Sequence, residues 1–249
     1  MRLKARGLSV ASVLLICILL VALLPLQAVA WTTYPLQPSD GEVESALDYL
    51  RGQQTTEGDI GGFATSAWVT MAIAAAGEDP HDWRVGSNPS IVDYLAANAG
   101  SASSVTDYER MILAIAAAGE DPSNFGGIDF VDLLEAAYDG TQIGDASLLN
   151  DDFWGVMALI SAGESQSSET VVNSVAFIKA NQNADGGWSW GLGQGSDVDD
   201  TAAAIMALIC AGEPQGSTVI QDALDYIKST QMDNGGSVSY THLTLPTKA

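Results

Sequence analysis

Four times along this chain an apolar, alanine-rich run closes on Gly-Glu, and that recurrence constrains the fold more than any other feature. The copies are Ala67–Glu78, Met111–Glu120, Val156–Glu164 and Ala203–Glu213, and their closing glycines (Gly77, Gly119, Gly163, Gly212) stand 42, 44 and 49 residues apart. A second block accompanies them, as Ala46–Leu50, Ile91–Leu95, Phe130–Leu134, Ser174–Ile178 and Ala223–Ile227. Self-similarity at such a period marks an architecture in which each unit buries its apolar face only against its neighbours.

Each repeat reads as a helical hairpin. The first helix is amphipathic, with apolar residues at helical spacing (Leu47 and Leu50, Val175 and Ile178) and polar ones between. The second is apolar on nearly every side and so must be buried. Its stop is a glycine suited to the left-handed position after a helix, followed by Pro80, Pro122 or Pro214 in three of the four copies. Twelve residues before each glycine stand Thr65, Asp107, Asp151 and Asp200, which predicts these as the N-caps. Buried helices alternating with half-exposed ones predict an all-α fold in two concentric layers, an incomplete ring of nine helices. Periodicity leaves an open solenoid of stacked hairpins as the alternative.

The ends of the chain read differently from the repeats. Arg2, Lys4 and Arg6 precede the apolar run Leu8–Leu24, Pro25 breaks it, and Ala28-Val29-Ala30 fits a signal-peptidase site. This predicts a signal peptide over 1–30, cleavage after Ala30, and a secreted or cell-envelope protein. An uncleaved N-terminal anchor is the alternative. At the other end, Val238–Thr247 is what a common transposase sequencing adapter encodes in one reading frame. Residues 238–249 are therefore expected to be foreign, and the repeat domain is expected over 31–237.

That domain carries five Lys and Arg against thirty-one Asp and Glu, a net charge of −26. Such a field repels nucleic acid and anionic membrane surfaces, so neither is an expected partner. Cys210 is the one cysteine left after cleavage, and only His81 precedes the tail. A His/Cys zinc site cannot be assembled from them. The acidic runs Asn150-Asp151-Asp152 and Asp197-Asp199-Asp200 offer oxygen ligands of the kind Ca²⁺ takes, but without a loop spacing that demands it. No cofactor is expected.

Between the paired helices of the fourth repeat lies Phe177–Trp188, in which Gln182 is followed by Gly186, Gly187 and Trp188. This resembles the Gln-Trp motif of squalene and oxidosqualene cyclases. Gln54 with Gly61-Gly62-Phe63 is a looser copy, and Gln231 with Gly235-Gly236 is a third. Together with the hairpins, the chain resembles the α/α toroid of the terpenoid cyclase and protein prenyltransferase superfamily, which cobalamin carriers share. The resemblance implies a structural role for Gln182 and Trp188: the Gln caps helix and backbone groups while the aromatic packs between repeats.

Asp197-Val198-Asp199-Asp200-Thr201-Ala202 is similar to the acid motif of squalene–hopene cyclases. That resemblance implies Asp199 as the general acid, with Asp197 and Asp200 as its partners. A carbocation cascade also needs a cavity walled by aromatic rings, whereas the apolar helices are mostly Ala, Ile, Met and Leu. Prenyltransferase chemistry would need an Asp, Cys and His on zinc. The reading is therefore a non-catalytic exported toroid that binds a small-molecule ligand or a cell-surface partner at its centre. A class II terpene cyclase-like enzyme is one alternative, and an architectural cell-surface repeat module is the other.

Overall fold

The computed structural model describes residues 36–233 and 235–237. The export signal expected over 1–30 and the foreign tail expected over 238–249 lie outside them. Among the described residues there are nine α-helices, two single 3₁₀ turns and no strand beyond isolated bridges in the loops. The helices are α1 (Gly41–Gln53), α2 (Phe63–Ala75), α3 (Ile91–Ala97), α4 (Val105–Ala117), α5 (Phe130–Glu135), α6 (Asn150–Ser161), α7 (Glu169–Ala180), α8 (Val198–Cys210) and α9 (Thr218–Thr230). Among the described residues, no helix is long and apolar enough to cross a membrane.

The apolar helices form the inner layer: α2 packs on α4, α4 on α6 and α6 on α8. The amphipathic helices lie outside, and α3, α5, α7 and α9 each rest chiefly on the inner helix that precedes them. The sequence framed each repeat as an outer helix with the inner one after it. In the structure the closely packed hairpin is an inner helix with the outer one that follows. The core runs between the two layers, through Ile73, Ile91, Met111, Phe130, Phe153, Val171, Leu208 and Ala223, all fully buried. This is the all-α, two-layered architecture of an α/α toroid.

Every inner helix stops in the same way. Gly77, Gly119, Gly163 and Gly212 have φ between 77° and 97°. The residue after each donates its N–H five positions back: Glu78 to Ile73, Glu120 to Ile115, Glu164 to Leu159 and Glu213 to Leu208. These are Schellman caps, which absorb carbonyls that a helix end would otherwise leave unpaired. The glutamates also tie the layers together. Arg51 near the end of α1 pairs with Glu78, and Lys179 near the end of α7 pairs with Glu213 at 2.8 Å.

The inner-helix starts correct the sequence reading. The residue before α4 is Ser104 and the one before α8 is Asp197, and their side chains accept the N–H of Asp107 and Asp200. Asp107 and Asp200 are thus third residues of their helices rather than N-caps. At Ser104 the pair closes a capping box, with Asp107 accepting the Ser104 N–H in return. Counting from the stop glycine finds the acid but misses that it belongs inside the first turn, where a carboxylate also favours the helix dipole.

The Gln loops join successive repeats. Gln182 Nε2 donates to Gly186 O at 2.8 Å and to Val219 O, in the first turn of α9, at 2.9 Å. Trp188 is fully buried, with its indole N–H on Ile178 O at 2.8 Å. Gly187 is buried where a side chain would strike Ser196 and Tyr226. Gln54 repeats the arrangement, donating to Gly58 O at 3.0 Å and Trp83 O at 2.7 Å. Gly58 is therefore the counterpart of Gly186, and Gly61-Gly62 is not. The aromatic slot is filled by Ile60 rather than Phe63: Ile60 N bonds Ser66 Oγ just as Trp188 N bonds Thr201 Oγ1. The turn is measured forward from the Gln, so the glycine four residues on is the one it selects.

Candidate functional site

The inner-helix N-termini share a two-residue device that pins the incoming loop. Eleven residues before the stop glycine, Ser66, Asp152 and Thr201 accept the main-chain N–H of Ile60, Ile143 and Trp188. One residue earlier, Asp151 accepts the N–H of Asp145 at 3.1 Å, and Asp200 bonds the N–H of Trp190. The buried acids of α6 thus have equivalents in other repeats and a structural task. Burial raises the Asp152 carboxyl to about 7, opposed by the Ile143 N–H and the Ser174 hydroxyl.

The acid motif divides along the same lines. Asp199 is exposed. Asp197 is half-buried and occupied as the cap of α8. Asp200 is half-buried, and its carboxyl is raised to about 7 by burial and by the hydrogen bond and charge of Asp197. The structure therefore brings Asp197 and Asp200 together and leaves Asp199 exposed. Among the described residues, no group of three or more His, Cys, Asp or Glu is arranged to hold a metal ion. His81, in the 3₁₀ turn Pro80–Asp82, donates from Nε2 to Ala118 O and lies 3.3 Å from Glu120.

A different constellation occupies the middle of the inner layer. Nine residues before the four stop glycines stand Trp68, Arg110, Trp154 and Ala203. Trp68 on α2 and Trp154 on α6 reach past α4, and their rings meet edge-to-face with centroids 5.2 Å apart. Beneath them a cavity of about 20 Å³ is lined by Trp68, Thr106, Glu109, Arg110 and Trp154. Thr106 holds the repeat position of Asp199, so this is the face onto which the acid motif also opens. The inner helices do carry aromatic rings on this face, contrary to the impression their composition gives.

Glu109 is the anomaly of that face. Its repeat equivalents are Ala67, Phe153 and Ala202, an apolar column. It is 1% exposed, and both carboxyl oxygens lack a hydrogen-bond partner. Gly155 of α6 faces it, and a β-carbon there would strike Ile143 Cδ1 at 2.7 Å while lying at ordinary contact distance, 3.5 Å, from Glu109 Oε1. Burial, followed by repulsion from Asp151 and Asp152, holds its carboxyl well above the usual range, while Arg110 acts the other way. The Arg110 guanidinium itself is turned to Asp107 on its own helix. An unpaired buried acid costs more than any hydrogen bond it could form on the surface. The fold gives no task to this one.

Residues 156–244 match the family model of the squalene-hopene cyclase C-terminal domain. The match spans Gln182, Trp188 and the Asp197–Asp200 motif, whose geometry is given above. The matched family belongs to the terpenoid cyclase/prenyltransferase α/α-toroid superfamily, and the all-helical layers of this chain are consistent with that fold. No curated protein matches the chain. Gln182 and Trp188 are occupied in hydrogen bonds to main-chain oxygens, while Glu109 and the Trp68–Trp154 pair lie outside the matched span. Sequence reading missed all three. The available signal was the repeat alignment, in which a glutamate replaces alanine and phenylalanine, and two tryptophans share one column.

Proposed function

We propose that this chain is an exported toroid module that binds a ligand over its inner helices without chemically transforming it. The observation that carries the reading is the Trp68–Trp154 pair meeting above α4. Two large amphipathic rings are held over a small cavity, with Trp68 still 42% exposed. Aromatic anchors beside a concave, partly apolar lining are what a binding face requires. Export rests on the pattern of Arg2–Arg6, Leu8–Leu24 and Ala28–Ala30. The charge of the repeat domain argues against nucleic acid and anionic lipid surfaces as partners.

The test is a thermal-shift screen of small molecules against the natural protein, repeated with Trp68→Ala and Trp154→Ala. Ligands whose stabilisation disappears in both variants support the reading. Ligands that stabilise all three proteins equally place binding elsewhere.

A cyclase-like reading has one observation in its favour, the Asp200 carboxyl raised to about 7 beside Asp197. A proton held near neutrality is what a general acid needs. The acid would then be Asp200 rather than Asp199. Alkene protonation, however, calls for a dry site, and Asp200 is half-buried at the start of α8. Incubation with squalene and shorter polyprenyl substrates decides the matter. Cyclised products that vanish in Asp200→Asn would replace the binding reading with catalysis.

A further inference from the structure

We propose that the cavity over α4 is a seat for a primary ammonium group, with Glu109 as its anionic floor and Trp68 and Trp154 as its walls. The inference rests on the binding reading above and names the chemical class of ligand. Three independent features converge on it. Glu109 offers two buried oxygens that no donor in the protein satisfies. The cavity above it, about 20 Å³, is of the size that holds one water, and an –NH₃⁺ head is of comparable size. Its walls are two indoles, whose faces attract cations more strongly than other aromatic rings do.

The ligand supplies what the site lacks. An alkylammonium brings three N–H donors and one positive charge, against two oxygens that want donors and a carboxyl that ionises only at a cost. Its carbon stem then leaves along the half-exposed Trp68 ring. The other charges facing Glu109 are Asp151 and Asp152, which reinforce a cation, and Arg110, which opposes it. One end of the Arg110 guanidinium pairs with Asp107, which blunts its opposition, while its Nε, buried without a partner, stays at the cavity lining. The net charge of −26 over the repeat domain draws cations toward the face and makes the encounter salt-dependent.

Seating the amine converts Glu109 from acid to carboxylate, so binding expels its proton to solvent. Affinity therefore rises with pH until the amine itself loses its charge.

The experiment is calorimetric titration of the full chain with n-butylammonium chloride, in two buffers of different ionisation heat. Butan-1-ol and tetramethylammonium chloride serve as comparison ligands. Saturable binding of butylammonium is expected, with a buffer-dependent heat that reports the expelled proton. Glu109→Gln should abolish the buffer dependence and weaken binding about tenfold or more, as loss of a charge-assisted hydrogen bond does. Trp68→Leu should weaken binding while leaving the proton release in place. Circular dichroism confirms that both variants are folded. Butan-1-ol binding as tightly as the amine would overturn the ammonium seat while leaving the concave-face reading standing. Tetramethylammonium binding equally well would overturn the role given to the N–H donors. Absence of any saturable heat with butylammonium would overturn the seat outright.

Discussion

The Gln182 side-chain amide lies 2.9 Å from the main-chain oxygen of Val219, thirty-seven residues further on and in the first turn of the next outer helix. With its second bond to Gly186 O, it closes its own loop and fastens the following repeat in one gesture. Gln54 does the same for Gly58 and Trp83.

Gln182→Leu should therefore lower stability by about 2 kcal/mol, since two half-buried carbonyls lose their donor and nothing else can replace it. Urea denaturation followed by circular dichroism measures this. An unchanged midpoint would mean that water serves the carbonyls equally well.

Gly186 and Gly212 share a positive φ, yet their surroundings differ. A β-carbon at Gly186 would sit 2.4 Å from Asp222 O, a main-chain atom that cannot step aside. At Gly212 the nearest contact is Gln166 Oε1 at 3.3 Å, the end of a flexible side chain. Gly212→Ala should cost about 1 kcal/mol, the left-handed strain alone. Gly186→Ala adds backbone overpacking and should cost about 3 kcal/mol or more, or prevent folding. Equal losses at the two sites would contradict the close approach of the loop to α9.

Stability should rise as pH falls from about 8 toward about 5. Asp152 and Glu109 keep their protons in the folded state at pH values where the unfolded chain has lost them. Folding then binds protons, and stability falls with rising pH across the range between the unfolded carboxyl value and the raised folded one. The limit is about 1.4 kcal/mol per pH unit for each such group. Asp93 runs the other way: the N–H and hydroxyl of Ser90 lower it, so its contribution is lost only as pH falls below the ordinary carboxylate range. A maximum in melting temperature on the mildly acidic side is the expected outcome. Glu109→Gln should raise the melting temperature at neutral pH and flatten the profile. A variant that melts lower at neutral pH would show that Glu109 is ionised and satisfied.

Asp197→Ala should cost about 1 kcal/mol through loss of the cap on the Asp200 N–H. Asp199→Asn should stay within about 0.5 kcal/mol, as exposed substitutions do. Thermal melts of the two variants side by side would check this, and the reverse order would return Asp199 to the centre of the motif.

The repeats, the stop glycines and the Gln-Trp loop were legible because each follows from local chemistry. Gly77 must be left-handed, and a Gln followed four residues later by Gly makes the same turn wherever it occurs. The N-caps were misread because Ser104 and Asp197 act across three residues, and both ends of such a pair look like caps when taken singly. Phe63 reads as the aromatic of the looser copy, whereas the slot, held by Ile60, asks only for a buried apolar side chain whose N–H meets Ser66 Oγ. Glu109 was invisible for a different reason. Beside Arg110 and after Asp107 it resembles the solvated first turn of any helix, and only the packing of α4 against α6 turns it inward.

The contact between Gln182 and Val219 also bears on how the chain comes apart. Among the described residues, inner helices pack chiefly on the inner helices next to them and outer helices on the one before, with the Trp68–Trp154 contact reaching one helix further. Cooperativity in such a chain is a sum of nearest-neighbour couplings. Gln182 carries one of these across the boundary between the fourth repeat and α9, and Gln54 carries the matching one at the first boundary. Weakening either should separate what is otherwise a single transition into two. Amide exchange would then report the outer helix beyond the cut opening ahead of the rest.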